Sequence, residues 1–171
     1  VFTHRTVKAL YTYSVENSTN SETEIQSEQG TLQGEVPLLP IQEWFFDHIN
    51  KGLYPSFHHW NQAFMIKVPS LDKQRLTLSI QKLLEHHDAF SLKYTQKDQN
   101  SYGQFYQYSD SEFALDCVNL KELTQPSDLD NILNSWQNQF NIFSGPLFHI
   151  GYLEGYPDGS ARIHFALHHL I

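Results

Sequence analysis

From Gly34 onward the apolar residues switch between two periods, and this alternation restricts the fold more than any other feature of the sequence. After Pro40, a residue that a first helical turn tolerates, Ile41, Trp44, Phe45, His48 and Ile49 follow at helical spacing. Trp60–Val68 reads as a strand, with Phe64, Ile66 and Val68 on one face and Pro69 closing it. Ser70 and Asp72 offer caps for a second helix whose stripe is Leu76, Ile80, Leu83, Leu84 and His87. Tyr102–Tyr108 and Phe113–Val118 read as further strands. A third helix follows Pro126-Ser127 and carries Leu129, Ile132, Leu133, Trp136 and Phe140. Leu147–Leu153 and Arg162–Leu167 are strands flanking Pro157-Asp158-Gly159, a strong turn signal. Interleaved helices and strands of this kind predict an α/β (α+β) sandwich, a mixed sheet with helices packed against it.

Upstream the pattern breaks. Residues 15–33 hold four Glu, no basic residue and few apolar anchors, so burial does not offset their conformational entropy and a flexible linker is expected. Before it, Thr3 or Thr6 is placed to cap a short helix with Val7, Leu10 and Tyr11 on its apolar face. Residues 1–14 are too few for a domain and read as the last helix of a preceding one. The expected organisation is therefore 1–14, 15–33 and 34–171. The chain starts without Met and stops at His168-His169-Leu170-Ile171, inside an apolar segment, which predicts a piece of a longer polypeptide.

Charge narrows the partners. Eleven Lys+Arg against 19 Asp+Glu give a net charge of −8, and no basic cluster exists to meet a nucleic acid or an anionic bilayer. Cys117 is the only cysteine, so neither an internal disulfide nor a Cys-rich zinc site is expected, and in its apolar strand it reads as packed rather than reactive. No apolar run reaches bilayer length and Val1–Leu10 lacks the core of a signal peptide, which makes a cytoplasmic protein the expectation.

Ten histidines are the main chemical signal, six of them in the pairs His58-His59, His86-His87 and His168-His169. Adjacent residues point apart on a strand or helix, and no His-x3-His or Cys-x2-Cys spacing accompanies them, so no metal site is expected. His86-His87 ends a helix, where an imidazole suits the dipole, and His58-His59 reads as a structural or exposed loop pair. The third pair closes a strand in which Ile163, Phe165 and Leu167 alternate with Arg162, His164 and Ala166. If extended geometry continues, His169 lies on the apolar, covered side and His168 on the other. An imidazole so placed suits a general base, and it equally suits a core histidine bonded to backbone; the pattern leaves both open. There is no Gly-x-Ser-x-Gly elbow and no phosphate-binding glycine loop.

Several segments, in order, resemble one family. Pro40-Ile-Gln-Glu-Trp-Phe45, within Gly34–Phe46, looks like the opening motif of the condensation superfamily of nonribosomal peptide synthetases, in the form typical of epimerization domains. His58-His-Trp-Asn-Gln-Ala63, Leu83-Leu-Glu-His-His-Asp-Ala-Phe90 and Phe140-Asn-Ile-Phe-Ser-Gly-Pro-Leu147 resemble later segments of those domains, with Phe90-Ser91 departing from the usual Leu-Arg. His168-His169-Leu170-Ile171 matches the first four positions of the His-His-x-x-x-Asp-Gly motif. Val1–Leu10 resembles the closing helix of a peptidyl carrier domain.

The resemblance implies the N-terminal lobe of a two-lobed, chloramphenicol-acetyltransferase-like domain with its active site between the lobes. It implies epimerization at Cα of an aminoacyl or peptidyl thioester held on the 4'-phosphopantetheine of a carrier domain in cis, with no metal. His169 falls on the family's acid/base residue and His168 on a supporting position. The motif's Asp and Gly, the partner glutamate and the phosphopantetheine serine lie outside the chain, which alone is expected to be inactive. The implied partners are the carrier domain, the C-terminal lobe and neighbouring synthetase domains. Two rivals stand beside epimerization: a condensation domain, which shares the histidine motif and forms amides between carrier-bound substrates, and a non-catalytic carrier-docking module.

Overall fold

A computed structural model describes residues 3, 5–16, 30–108 and 113–171, and the chain divides into two units, Val1–Gly30 and Thr31–Ile171. In the first unit α1 (Val7–Glu16) starts where the Thr6 hydroxyl accepts a hydrogen bond from the Ala9 amide at 3.1 Å. Thr6 rather than Thr3 is thus the cap. The helix buries no residue, and its predicted apolar face, Val7, Leu10 and Tyr11, is exposed. Val15 and Glu16 of the expected linker continue α1, while residues 17–29 lie outside the described residues.

Among the described residues the second unit holds seven strands and three α-helices: β1 (Gly34–Val36), α2 (Pro40–Asn50), β2 (Asn61–Pro69), α3 (Lys73–His86), β3 (Leu92–Gln96), β4 (Tyr102–Tyr106), β5 (Asp116–Asn119), α4 (Pro126–Asn138), β6 (Phe148–Glu154) and β7 (Ser160–His168). The caps explain the helix starts. Asp72 accepts from the Arg75 amide at 2.8 Å to open α3, and Asp128 reaches back to the amides of Thr124 and Gln125 at 3.0 and 2.9 Å to open α4. The turn signal before β7 also acts as expected: Gly159 takes φ +72° and donates to the Tyr156 carbonyl at 3.0 Å.

The strands form two sheets. One is three-stranded and antiparallel in the order β1-β4-β3; the other is mixed, in the order β2-β7-β6-β5, with β5 parallel to β6. The short β1 and β3 carry too little apolar alternation to be anticipated from sequence.

Both faces of the mixed sheet are covered at β6 and β7, whereas the edge strand β2 leaves Phe64, Met65 and Ile66 exposed. Ile150, Tyr152 and Ile163 pack with Ile80 of α3. On the other face the Trp136 ring stacks on His149 at 4.6 Å and lies 5.5 Å from His164, above a floor where a Cβ on Gly151 would sit 2.3 Å from the indole. His164, expected on the less apolar side, is therefore buried, because a sheet covered on two faces buries both parities. Cys117, expected to be packed, is exposed on the edge strand β5.

A second core lies against the three-stranded sheet and consists of Phe45, Phe46, Tyr94, Ile142, Leu147 and Leu170. It corrects the stripe expected on α2: the buried residues are Gln42, Phe45 and Phe46, whereas Ile41 and Trp44 are 65% and 44% exposed. The last residues of the chain enter this core, and it positions the paired histidines. Among the described residues no helix is long and apolar enough to cross a membrane, and no group of three His, Cys, Asp or Glu is placed to hold a metal ion.

Candidate active site

β7 ends at His168, and the chain then leaves extended geometry in a turn closed by the Ile171 amide donating to the His168 carbonyl at 3.2 Å. This reverses the orientation expected for the pair. His168, the last residue in the pleat, shares the parity of His164 and Ala166 and is 1% exposed, while His169 lies in the turn and is exposed.

The His168 ring is fully engaged. Nε2 lies 2.8 Å from the Phe57 carbonyl and donates to it; Nδ1 accepts from the Leu170 amide at 3.2 Å. Those partners fix one neutral tautomer. The edges of Phe45 and Phe140 meet the ring at 6.0 and 6.3 Å, and burial lowers its pKa to about 4. A neutral imidazole with both nitrogens committed has no free lone pair with which to take up a proton.

His169 has the opposite character. Its amide donates to the Trp60 carbonyl at 3.0 Å and its ring tilts against the Trp60 indole, 5.3 Å between centroids. Among the described residues neither ring nitrogen is hydrogen-bonded. Trp60 is itself held flat on buried Phe45, with centroids 4.5 Å apart and planes 3° from parallel, and Tyr54 lies 5.0 Å away. The backbone of His169 is thus fixed on an aromatic base while its imidazole stays open to chemistry.

The segments singled out in the sequence converge on this pair. Asn61 is the register partner of His168 across β2 and β7, so the loop Phe57–Trp60 lies beside the histidines. His58 accepts from the Ile142 amide through Nδ1 at 3.2 Å, and burial lowers its pKa; His59 reaches the Gln137 carbonyl at 3.1 Å. Both are structural, as expected. In the Phe140–Leu147 segment the Ile142 carbonyl accepts from the Tyr94 amide and the Leu147 carbonyl from the His168 amide, each at 2.9 Å. His86 closes α3, His87 follows as its cap, and the two rings pack edge to face.

Sequence reasoning passed over three residues that touch or flank the site. Gln42 and Tyr94, both buried, are hydrogen-bonded to each other, and Tyr94 is bonded to Leu170. Phe57 supplies the acceptor for His168 through its carbonyl, a group that leaves no signature in sequence. A glutamine inside a recognised motif was the one available signal for this set.

A family model for the condensation domain matches residues 32–171. The chain belongs to the condensation-domain family. This is the superfamily of nonribosomal peptide synthetase domains that the motifs resemble, and the two-sheet α/β architecture is that of its chloramphenicol-acetyltransferase-like N-terminal lobe. The chain is similar to N-(5-amino-5-carboxypentanoyl)-L-cysteinyl-D-valine synthase of Amycolatopsis lactamdurans, 38% identical over 171 residues, covering 100% of the chain and 4% of the relative. The synthase of the same name from Penicillium rubens is 34% identical over 172 residues, covering 99% of the chain and 4% of the relative. Among solved structures, the epimerization domain from the third module of tyrocidine synthetase B superposes with a TM-score of 0.71 at 30% identity, covering 85% of this chain and 32% of that one. The condensation-family chain thus spans a small fraction of the synthases and about a third of the solved domain.

Proposed function

We propose that the chain is the N-terminal lobe of an epimerization domain that interconverts L and D configurations at Cα of a carrier-bound aminoacyl or peptidyl thioester, with His169 as one of its two acid/base groups. The observation that carries this reading is the division within the pair. His168 spends both ring nitrogens on the protein, whereas His169 is held by its backbone and, among the described residues, keeps both nitrogens open.

The chemistry follows from that division. A thioester acidifies its α-proton, and removal still needs a positioned base. A neutral His169 takes the Cα proton, the C–H electron pair moves into the thioester carbonyl as an enolate, and a proton delivered to the opposite face regenerates the thioester with inverted configuration. The opposite-face group is the glutamate that the resemblance assigns to the other lobe, so the lobe alone is inactive. The 4'-phosphopantetheine arm of a carrier domain presents the substrate. The closing helix of that carrier is assigned to α1, which runs to Glu16 rather than ending at residue 14.

Epimerization is preferred to condensation because a solved epimerization domain is similar at 30% identity, and because the name of the related synthases specifies a D-valine in their product. The test uses the parent polypeptide, its carrier loaded with an L-aminoacyl thioester in D2O. Deuterium at Cα with a mixed L and D product, lost in His169→Ala, is the expected result. Retained L configuration without deuterium, with amide formed once a second loaded carrier is supplied, would identify a condensation domain. Neither reaction would leave a docking module.

A further inference from the structure

A buried chain of hydrogen bonds runs from the start of α2 to the residue after His169. The Leu39 amide donates to Gln42 Oε1 at 2.8 Å, Gln42 Nε2 donates to the Tyr94 hydroxyl at 2.9 Å, and that hydroxyl donates to the Leu170 carbonyl at 2.8 Å. Direction is fixed at each step. The Leu39 amide can only donate, which places the carboxamide oxygen of Gln42 towards it and the NH2 towards Tyr94. Having accepted from Gln42, the phenol turns its own proton to Leu170. Gln42 is 5% exposed and Tyr94 1%, and burial drives the Tyr94 pKa upward, so the phenol keeps that proton.

We infer that Gln42 and Tyr94 are positioning residues for His169, a clamp that fixes the carbonyl of the following residue and with it the direction of the imidazole. The inference rests on the epimerization reading for its substrate and on geometry for its mechanism. The backbone of His169 is restrained on two sides: its amide is bound to the Trp60 carbonyl, and the next carbonyl is bound to Tyr94. With the second restraint removed, the turn keeps the packing of the buried Leu170 side chain, and the hydrogen bonds that still tie it to other segments are those of the His169 amide to Trp60 and of His168 to Phe57 and Leu147. Displacement of a reacting group by about 1 Å costs on the order of 100-fold in rate, so a buried clamp at this point acts on turnover rather than on substrate binding.

Two substitutions break the clamp differently. Tyr94→Phe deletes the hydroxyl. Gln42→Glu keeps an acceptor for the Leu39 amide but removes the donor, so the phenol turns to the carboxylate and releases Leu170. Ile80→Val, in the other core, controls for general loss of stability. In the parent polypeptide, with a loaded carrier in D2O, kcat and KM for Cα exchange are measured well below the unfolding temperature. The expected result is a loss of about tenfold or more in kcat for both clamp variants, with KM within about twofold and Ile80→Val retaining kcat. Wild-type kcat in either clamp variant, or an equal loss in Ile80→Val, overturns the inference. If Tyr94→Phe does not fold, Gln42→Glu decides alone, since it preserves the helix cap. If wild-type protein shows no exchange but forms amide with a second loaded carrier, epimerization fails as the reaction, and the same comparison of kcat in amide formation judges the clamp. A wild type that performs neither reaction overturns both.

Discussion

Trp60 and His169 are joined twice, once through the backbone, where the His169 amide donates to the Trp60 carbonyl at 3.0 Å, and once through rings whose centroids are 5.3 Å apart. The backbone bond extends the β2–β7 pairing one step past its Asn61–His168 end, and the ring contact gives the exposed imidazole an apolar wall. Trp60→Ala keeps the first link and deletes the second. Because the indole is half-buried and stacked on Phe45, its loss is expected to destabilise the domain by about 2 kcal/mol, measured by denaturant titration. Trp60→Phe, which keeps an aromatic face, is expected to recover most of that stability.

Acid should weaken the fold through His168. Its pKa falls from 6.5 to about 4 in the folded domain, so between those values the unfolded chain binds a proton that the folded one refuses. Its contribution is fully present above pH 6.5 and is lost as pH drops towards about 4. The loss is on the order of 3 kcal/mol, with His58 and His164 adding in the same direction. Denaturation midpoints across that range should fall steeply in the wild type and less steeply in His168→Gln; parallel curves would show that His168 is not the source.

Gly151→Ala is expected to be among the most disruptive small substitutions in the mixed sheet. The added methyl would sit 2.3 Å from two ring carbons of Trp136, and the indole is confined between His149, His164 and the sheet. Overpacking of this kind costs about 2 kcal/mol. The measurement is a denaturation midpoint, which should fall well below that of the wild type.

His58→Ala should leave the Ile142 amide without an acceptor, two atoms from the carbonyl that receives the Tyr94 amide. An unpaired buried donor costs about 1 to 3 kcal/mol, and amide hydrogen exchange should show faster labelling of the Phe140–Leu147 segment in the variant. Unchanged exchange there would show that the side chain does not hold this segment.

The sequence was most informative where residues act locally. Asp72 before α3, Pro126 at the start of α4 and Pro157-Asp158-Gly159 before β7 each govern a few neighbouring backbone groups, and the elements stand where those residues predicted. Orientation was harder to read. The stripe expected on α2 was chosen by apolarity, yet Gln42 displaced Ile41 and Trp44 from the interior because its amide is satisfied by a tyrosine 52 positions later. The histidine pair was inverted for a similar reason. Alternation was extended beyond His168, whereas the Phe57 carbonyl and the Leu170 amide hold its ring and the Ile171 amide closes a turn on its carbonyl, all backbone groups without a side-chain signature. The motif resemblance put His169 in the acid/base role and His168 in support, and gave no orientation for either ring.

The pairing of Asn61 with His168 also makes β7 a ruler. It runs nine residues from Ser160 to the last pleat at His168, and their number decides which histidine enters the interior and which is exposed. A single-residue deletion inside β7 would slide His169 into the slot beneath Phe57 and bring Leu170 to the open position, exchanging an imidazole for a hydrocarbon without altering either histidine. Length, at this point in the chain, is as much a chemical specification as residue identity.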